Sequence, residues 1–270
     1  MKPPPAPRPR HRWRSFPAAV SATRCSAPAR RPAKRVTSEH DHDHEQGGGA
    51  VSEDLLEAYA KLPTPAVCDA LDGLGLAEGW LSHDIRPAWQ GARLAGRALT
   101  ARLAPLAPDE GFDESLAMSE YAEVFRDVPV GSVVVLDMSD EMIAAGWGQV
   151  TSQIARAAGC SGALIGGPVR DITSVAAQRF PVFSHGYLPS SIRGRFRVEG
   201  VQVPVTVGGR RVEPGDLVLG DANGAVVVRA ADAATVLEAA GNLAHLDSWW
   251  MEQLDAGRDP IELEKEHPLP

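Results

Sequence analysis

The segment from residue 146 to residue 184 constrains the fold of this chain more than any other part of its sequence. A polar turn leads into helix-forming residues at about 150–158, and the apolar run GALIGG follows at 162–167. A glycine-flanked turn and a second helical stretch then precede another apolar run, PVFS at 181–184. Helices that alternate with short buried strands are typical of a layered domain with a parallel sheet, so we predict an α/β fold.

Capping and turn residues outside this segment add two helices and a set of hairpins. Ser52 can cap a short helix, and Thr64 opens a second helix with proline as its next residue. The stretch 198–229 alternates and turns repeatedly, and the Asn-Gly pair at 223–224 is its strongest hairpin signal. These signals predict that a β-rich half follows the alternating half of the domain.

We expect three regions along the chain: a disordered tail rich in Arg and Pro at 1–50, one globular domain at 51–230, and a C-terminal helix and tail at 231–270. The Arg-rich, acid-poor tail could instead be a transit peptide or the product of a wrongly chosen start codon. Its early prolines oppose the amphipathic helix that a transit peptide needs. The C-terminal helix is expected to end at Gly257, and its two tryptophans, Trp249 and Trp250, could pack on the domain or contact another subunit.

The charges are divided unevenly and exclude one class of partner. Ten of the 27 Lys and Arg residues lie at 1–35, whereas residues 51–270 carry 17 basic and 31 acidic residues. Non-specific nucleic-acid binding depends on neutralising phosphates, so we expect no nucleic-acid partner. No run approaches the roughly 18 apolar residues of a membrane helix, and three cysteines without a CxxC spacing fit a reduced, cytoplasmic protein.

The pair Arg170 and Asp171 is the first candidate for chemistry, because it follows directly after a predicted strand. The planar guanidinium of arginine matches a carboxylate or a 2-keto acid. Aspartate is a hard oxygen ligand of the kind that magnesium and manganese use. By itself the pair could equally be an exposed ion pair worth less than about 1 kcal/mol.

The loop before the central helix is the second candidate. Residues 147–151, Trp-Gly-Gln-Val-Thr, lead straight into that helix, so their backbone N–H groups are free to hold a carboxylate. Gly148 would let a ligand approach the backbone closely. The alternative is an ordinary helix start with glycine as a turn residue.

Other polar residues are better explained by structure. The run GLGLAEG at 73–79 has the wrong spacing for dinucleotide binding, and no strand precedes it. Asp216, Asp221 and Asn223 stand in common turn sequences. Cys68 and Cys160 have no adjacent histidine that would make either one a nucleophile. A lone histidine after a strand, such as His185, is more often structural than catalytic.

The order of the motifs resembles that of the RraA-like family, which includes the 4-hydroxy-4-methyl-2-oxoglutarate aldolases, over about residues 52–230. The motifs are TPAVCDALDGLG, GRALTARL, GSVVVLD, WGQVTSQIARAAGCSGALIGGPVRDI, PVFS and PVTVGGRRVEPGDLVLGDANGAVVV. The resemblance implies a swivelling β/β/α-type sandwich that assembles as a homotrimer or hexamer with sites between subunits. It also implies a divalent-metal-dependent lyase that releases pyruvate by retro-aldol cleavage, with oxaloacetate decarboxylase as a side activity.

The resemblance also assigns roles to residues of this chain. Asp171 takes the place of the metal ligand, for magnesium or manganese, and Arg170 that of the residue that binds the substrate and stabilises the enolate. The backbone amides of Val150 and Thr151, next to Gly148, would hold the carboxylate of the substrate. Gln149 stands where the aldolases have an acid that holds the waters of the metal, so we count it with Arg170 as a catalytic candidate.

Three positions depart from the aldolase pattern in the same direction. Gln149 is neutral, Gly166 stands where an aspartate is usual, and Ser174 stands where an acid often follows the Arg-Asp pair. A carboxamide can hydrogen-bond to water but neither balances the charge of a cation nor accepts a proton. We therefore expect weaker metal binding, or a different substrate, than in the aldolases.

Two other functions remain open. Another branch of the resembling family binds and inhibits a ribonuclease without catalysing a reaction, and that branch tends to lack the aspartate that is present here as Asp171. This chain could thus be a regulatory protein with a protein partner. A third, more distant analogy would place a phosphate on His185.

Overall fold

The computed structural model describes residues 52–107, 122–139 and 142–269. The predicted tail at 1–50 lies outside these residues, so the three predicted regions and their boundaries remain predictions. The helices within the described ranges are α1 (Glu53–Tyr59), α2 (Thr64–Gly73), α3 (Gln149–Ala157), α4 (Ile172–Gln178), α5 (Ala233–Asp255) and α6 (Pro260–Glu266). The strands are β1 (Arg86–Pro87), β2 (Leu94–Pro105), β3 (Val133–Asp137), β4 (Gly162–Ile165), β5 (Val182–Ser184), β6 (Phe196–Val201), β7 (Val205–Val207), β8 (Arg210–Val212), β9 (Leu217–Asp221) and β10 (Gly224–Val228).

One mixed sheet organises the domain. Its strand order is β1-β5-β4-β3-β2-β9-β10, with β6 paired to β2 beside that path. The neighbours β2, β3, β4 and β5 run parallel, whereas β9, β10, β6 and β1 pair antiparallel with their neighbours. The strands β7 and β8 form a separate hairpin, which turns at Gly208 and Gly209. The structure is therefore the mixed α/β fold that the sequence predicted.

The parallel part of the sheet is covered on both faces. The apolar residues of β3 and β4 are all buried, which explains why these strands read as continuous apolar runs without alternation. One face packs against a cluster that includes Trp147 and Phe180, and the other against a cluster that includes Ile85 and Phe183. Helix α3 connects β3 to β4 and α4 connects β4 to β5, so the chain enters both helices at the carboxyl ends of parallel strands.

The C-terminal helix packs on the domain of its own chain. Helix α5 lies against α2, and the phenolic hydroxyl of Tyr59 donates to the carbonyl of Ala233 at 2.7 Å. A short helix that the sequence analysis did not anticipate, α6, then folds back on the end of α5. The indole N–H of Trp250 donates to the carbonyl of His267 at 2.9 Å, and Leu263 is completely buried. Trp250 thus serves packing within the chain.

In the described parts of the chain, no helix combines the length and the apolar character that crossing a membrane requires.

Candidate functional site

The segments that follow β3, β4 and β5 lie side by side at the carboxyl edge of the parallel strands. Trp147 forms a parallel bridge with Val169, and Val169 forms another with Tyr187. The backbone N–H of Arg170 donates to the carbonyl of Trp147 at 2.9 Å, and that of Leu188 donates to the carbonyl of Val169 at 3.0 Å. These bonds bring the Arg170-Asp171 turn against the start of α3, so the two candidate regions from the sequence form one place in the structure.

The start of α3 offers backbone donors. Gly148 occupies the N-cap position, and the N–H of Ser152 donates to its carbonyl at 3.0 Å. The N–H of Gln149 donates to Oδ2 of Asp171 at 3.3 Å. The N–H groups of Val150 and Thr151 have no acceptor among the described residues, as expected for the first turn of a helix.

Gly148 permits the contact between this helix and Asp171. A Cβ atom at this position would lie 2.7 Å from Oδ2 of Asp171 and 3.1 Å from Cγ of Arg170. Cβ atoms essentially never come closer than 3.0 Å to another heavy atom. The backbone conformation does not require glycine here, because a φ of −168° is open to any residue. The absence of a side chain is what allows the close approach of the Arg-Asp pair.

Asp171 has an uncommon backbone conformation. It lies in the left-handed region, at φ 58° and ψ 35°, directly before α4. Its side chain makes no capping bond to α4 and reaches α3 instead. Non-glycine residues in this region are uncommon, and such strain is concentrated at functional sites.

The ion pair of Arg170 and Asp171 contributes little to stability. Nε of Arg170 lies 3.6 Å from Oδ2 of Asp171, and the side chains are 36% and 38% exposed. An ion pair this exposed is worth less than about 1 kcal/mol. Oδ1 of Asp171 and the terminal nitrogens of Arg170 have no partner among the described residues, so both groups can bind a ligand.

Buried aromatic residues support the loop from below. The indole N–H of Trp147 donates to Oγ of Ser152 at 2.8 Å, and that hydroxyl donates to the carbonyl of Gly148 at 3.0 Å. The ring of Trp147 stacks on Phe180 with 6.4 Å between centroids and an interplanar angle of 12°. The position of Gly148 is therefore fixed by residues that are inaccessible to solvent.

Gly166 and Ser174, the other two positions that depart from the aldolase pattern, differ in how near they lie to Arg170 and Asp171. A Cβ at Gly166 would meet the carbonyl oxygen of Leu136 at 3.2 Å and Val207 at 3.3 Å, so this position faces β7. Ser174 lies one turn after Asp171 on α4. The backbone N–H of His185 donates to the carbonyl of Gly167 at 3.2 Å.

Across the described ranges, no group of three or more His, Cys, Asp and Glu side chains is arranged to hold a metal ion.

Asp171 nevertheless fits a divalent cation that keeps most of its waters. Magnesium is commonly bound through only one or two carboxylates, with water completing the octahedron. Oδ1 of Asp171 is available for this purpose, while Oδ2 is held by Gln149 and Arg170. The donor set therefore suits a weakly held magnesium or manganese ion.

The sequence analysis missed one residue next to this site. Gln178, at the last position of α4, donates from Nε2 to the carbonyl oxygen of Gln149 at 3.2 Å. The two residues are 29 positions apart, and no motif links them. Only the packing of α3 against α4 brings them together.

Comparison with known families supports the resemblance seen in the motifs. The family described as RraA-like, Aldolase/RraA, matches residues 64–227. The chain belongs to the RraA-like family. The family and the α/β fold predicted from the sequence are thereby confirmed, and helices α5 and α6 lie beyond the matched residues.

Relatives and a solved structure share this domain. Protein DlpA of Legionella pneumophila is 29% identical over 174 residues, which cover 64% of this chain but only 27% of DlpA. This chain thus spans about a quarter of that relative. A Halalkalibacterium halodurans protein named "Putative 4-hydroxy-4-methyl-2-oxoglutarate aldolase" is 28% identical over 187 residues, covering 69% of this chain and 82% of the relative. An uncharacterized protein from Pseudomonas syringae has a crystal structure that matches with a TM-score of 0.68 and 30% identity, over 77% of this chain and 96% of its own.

Proposed function

We propose that this chain is a divalent-metal-dependent lyase that cleaves 4-hydroxy-4-methyl-2-oxoglutarate or a related 2-keto acid to pyruvate, with oxaloacetate decarboxylation as a second activity. One observation carries the proposal: the carboxylate of Asp171 lies against Gly148 and beside Arg170, and it accepts from the N–H of Gln149 at the start of α3. The name of the Halalkalibacterium halodurans relative supports the same reaction class.

Asp171 would hold the metal, and α3 would hold the substrate. Oδ1 of Asp171 is the oxygen left for a magnesium or manganese ion, which when bound would supply Lewis-acid polarisation of the keto acid. The N–H groups of Val150 and Thr151 bind the carboxylate of the substrate, because they point out of a helix start and carry partial positive charge. Gly148 keeps this approach open.

Arg170 stabilises the charge that the reaction creates. When the C3–C4 bond breaks, its electron pair passes into the pyruvyl fragment, and negative charge develops on the keto oxygen. The backbone of Arg170 is held by its N–H bond to Trp147 and its Nε lies beside Asp171, so the terminal nitrogens of the guanidinium are left to face that oxygen. The C4 hydroxyl passes its proton to a solvent water in the same step and becomes the carbonyl of the second product, and the enolate then takes a proton from solvent at C3 to give pyruvate. The carboxamide of Gln149 can hydrogen-bond to that hydroxyl but cannot accept its proton.

The site also suggests an assembly. Large apolar side chains are exposed on the segments next to it: Met142, Ile143, Val150 and Tyr187 are 45%, 59%, 58% and 56% exposed. Large apolar side chains that are exposed near a site are candidates for contact with another protein. We therefore propose a homotrimer or hexamer in which a second copy covers this face, in a cytoplasmic protein without nucleic-acid or membrane partners.

A regulatory function is the second candidate. Gln149, Gly166 and Ser174 all replace acids, so the electrostatic attraction for a cation is weaker than the aldolase pattern provides. In that case the exposed apolar face would bind a protein partner, a ribonuclease or another protein, without catalysis. The presence of Asp171 favours the lyase.

Pyruvate release distinguishes the two functions. The purified full chain is incubated with oxaloacetate and with 4-hydroxy-4-methyl-2-oxoglutarate, first with magnesium or manganese and then with EDTA. We expect metal-dependent turnover, and at least about a hundredfold loss in Asp171→Ala. Asp127→Ala is the matched control, because Asp127 is exposed and also has a positive φ, 54°. Equal turnover in Asp171→Ala, or none with either metal, would contradict the lyase and direct the search to protein partners.

A further inference from the structure

Gln178 joins the end of one helix to the start of another. Its Nε2 donates to the carbonyl oxygen of Gln149 at 3.2 Å. Its own backbone carbonyl accepts a hydrogen bond from Nη2 of Arg156, and the guanidinium of Arg156 lies 6.0 Å from the centroid of the Phe180 ring. The end of α4 is therefore held in place on one side by Arg156 while its last side chain reaches α3.

Both ends of α4 act on the same residue. At the start of α4, Oδ2 of Asp171 accepts from the N–H of Gln149 at 3.3 Å. At its end, Gln178 donates to the carbonyl of Gln149. Seven positions separate Asp171 and Gln178, which is about two helical turns, so their side chains lie on the same face of α4. Helix α4 thus holds both backbone polar groups of Gln149.

The orientation of the Gln178 carboxamide follows from this contact. With the amide flipped, Oε1 would face the carbonyl oxygen of Gln149, and two acceptors would oppose each other. In the observed orientation Oε1 is buried and, within the described residues, has no hydrogen-bond partner. Burying an unpaired acceptor is unfavourable. The carboxamide of Gln178 therefore makes its bond to Gln149 through Nε2 and leaves Oε1 without a hydrogen bond.

We propose that Gln178 is a positioning residue that fixes Gln149 and thereby aims the N–H groups of Val150 and Thr151 at the carboxylate of the substrate. The identity of the bound carboxylate rests on the proposed function. The role of Gln178 in holding the loop rests on its own contacts. Among the described residues, Gln178 makes no hydrogen bond to Asp171, the proposed metal ligand. It acts through the backbone of the first residue of α3.

Kinetics give the first test. Gln178→Met keeps the length of the side chain and removes its donor, so the KM for the keto acid should rise by roughly fivefold, the equivalent of one hydrogen bond. The kcat should change by less than about twofold, because Arg170 and Asp171 remain in place. Gln178→Lys keeps a donor at this position and should restore most of the affinity. Gln153→Met is the matched control, since Gln153 is exposed one turn further along α3 and its side chain has no hydrogen bond with the described residues.

Hydrogen exchange gives a second readout that needs no turnover. Amide exchange at Gln149 and Ser152, whose N–H groups are hydrogen-bonded at the start of α3, should be faster in Gln178→Met than in the wild-type chain or Gln153→Met, with the rest of the domain unchanged. Unchanged exchange and unchanged KM in a folded Gln178→Met protein would overturn the proposal. Equal losses in Gln178→Met and Gln178→Lys would refute the assignment of a donor. If the wild-type chain releases no pyruvate, the lyase fails, but exchange at Gln149 and Ser152 still decides whether Gln178 positions this loop.

Discussion

Asp171 and Asp221 occupy similar places in the chain and do different things. Each follows or ends a strand, and each accepts a hydrogen bond from the first residue of a helix elsewhere in the sequence. Oδ2 of Asp171 accepts from the N–H of Gln149 in α3, and Oδ2 of Asp221 accepts from the N–H of Thr64 in α2. Both carboxylates therefore also interact favourably with the positive end of a helix dipole.

The two aspartates differ in how many of their acceptor positions are used. Asp221 is 6% exposed, and its Oδ1 also accepts from the hydroxyl of Thr64 and from the backbone and side-chain nitrogens of Asn223. Asp171 is half-exposed, has one backbone donor, and keeps Oδ1 uncommitted within the described residues. A carboxylate whose acceptors are saturated stabilises a fold. One that keeps an oxygen free next to a cation can bind a ligand.

Removing the Asp221 carboxylate should have the largest effect on stability. Asp221→Ala leaves the N–H groups of Thr64 and Asn223 without their acceptor, so we expect a loss of about 3 kcal/mol in the free energy of unfolding. Urea denaturation measures this loss. Asp69→Ala, an exposed change on the same helix as Thr64, should lose almost nothing. The pyruvate-releasing activity per folded molecule should stay the same, and a large fall in that activity would break the contrast with Asp171.

A methyl group on Gly148 should have the opposite effect to the removal of the Asp221 carboxylate: activity should fall while stability is nearly unchanged. Gly148→Ala places a Cβ only 2.7 Å from Oδ2 of Asp171, which is too close, so the carboxylate must move away from α3. We expect pyruvate release to fall by about ten- to a hundredfold, with only a small change in melting temperature. Gly241→Ala is the control, because a Cβ there meets no atom within 4 Å and Gly241 lies inside α5. Activity equal to that of the wild-type chain would show that the close approach of Asp171 is unimportant.

The pH dependence of stability should separate Asp221 from Asp216, the other buried carboxylate of the hairpin region. Burial alone would raise the pKa of Asp221, but the hydrogen bonds from Thr64 and Asn223 outweigh it and hold the pKa below its ordinary value. The stabilisation by Asp221 is therefore complete above the ordinary aspartate pKa of about 3.9 and is lost as the pH falls through the lowered pKa. Burial raises the pKa of Asp216 despite hydrogen bonds from Glu213 and Ala230. Its contribution therefore falls as the pH rises from about 3.9 through the raised pKa.

Urea denaturation between about pH 7 and about pH 3 tests these signs. The stability advantage of the wild-type chain over Asp221→Asn should shrink towards acid pH. Its stability relative to Asp216→Asn should improve over the same range. Two differences that change in the same direction would contradict the assignment.

Restoring an acid at the start of α3 should have the smallest effect. Gln149→Asp adds a carboxylate beside Asp171 that can hold the waters of a cation, so metal-dependent pyruvate release should rise by about fivefold at limiting magnesium. A magnesium titration of the activity measures this gain, and Gln153→Asp on the same helix is the control. An unchanged titration curve would mean that the missing acid does not limit metal binding.

The sequence predicted the members of the candidate site better than their contacts. Arg170 and Asp171 are adjacent in the sequence, and residues 147–151 form one short loop, so composition and position after a strand were enough to single them out. That these two segments would touch could be expected from parallel strands whose carboxyl ends meet at one edge. The left-handed conformation of Asp171 and the reach of its side chain to Gln149 could not be predicted, because both depend on where α3 lies.

The sequence by itself determined the alternation of helices and strands, the family, and the Arg-Asp and Trp-Gly motifs, since local periodicity and turn chemistry encode them. Tertiary structure decided which aspartate has all its acceptor positions occupied by hydrogen bonds, because Thr64, which donates to Asp221, lies 157 positions away in the sequence. It also decided the contact of Gln178 with Gln149 and the folding of α6 onto Trp250. Hydrogen bonds between distant segments depend on the packing of whole helices, and no short stretch of sequence specifies that packing.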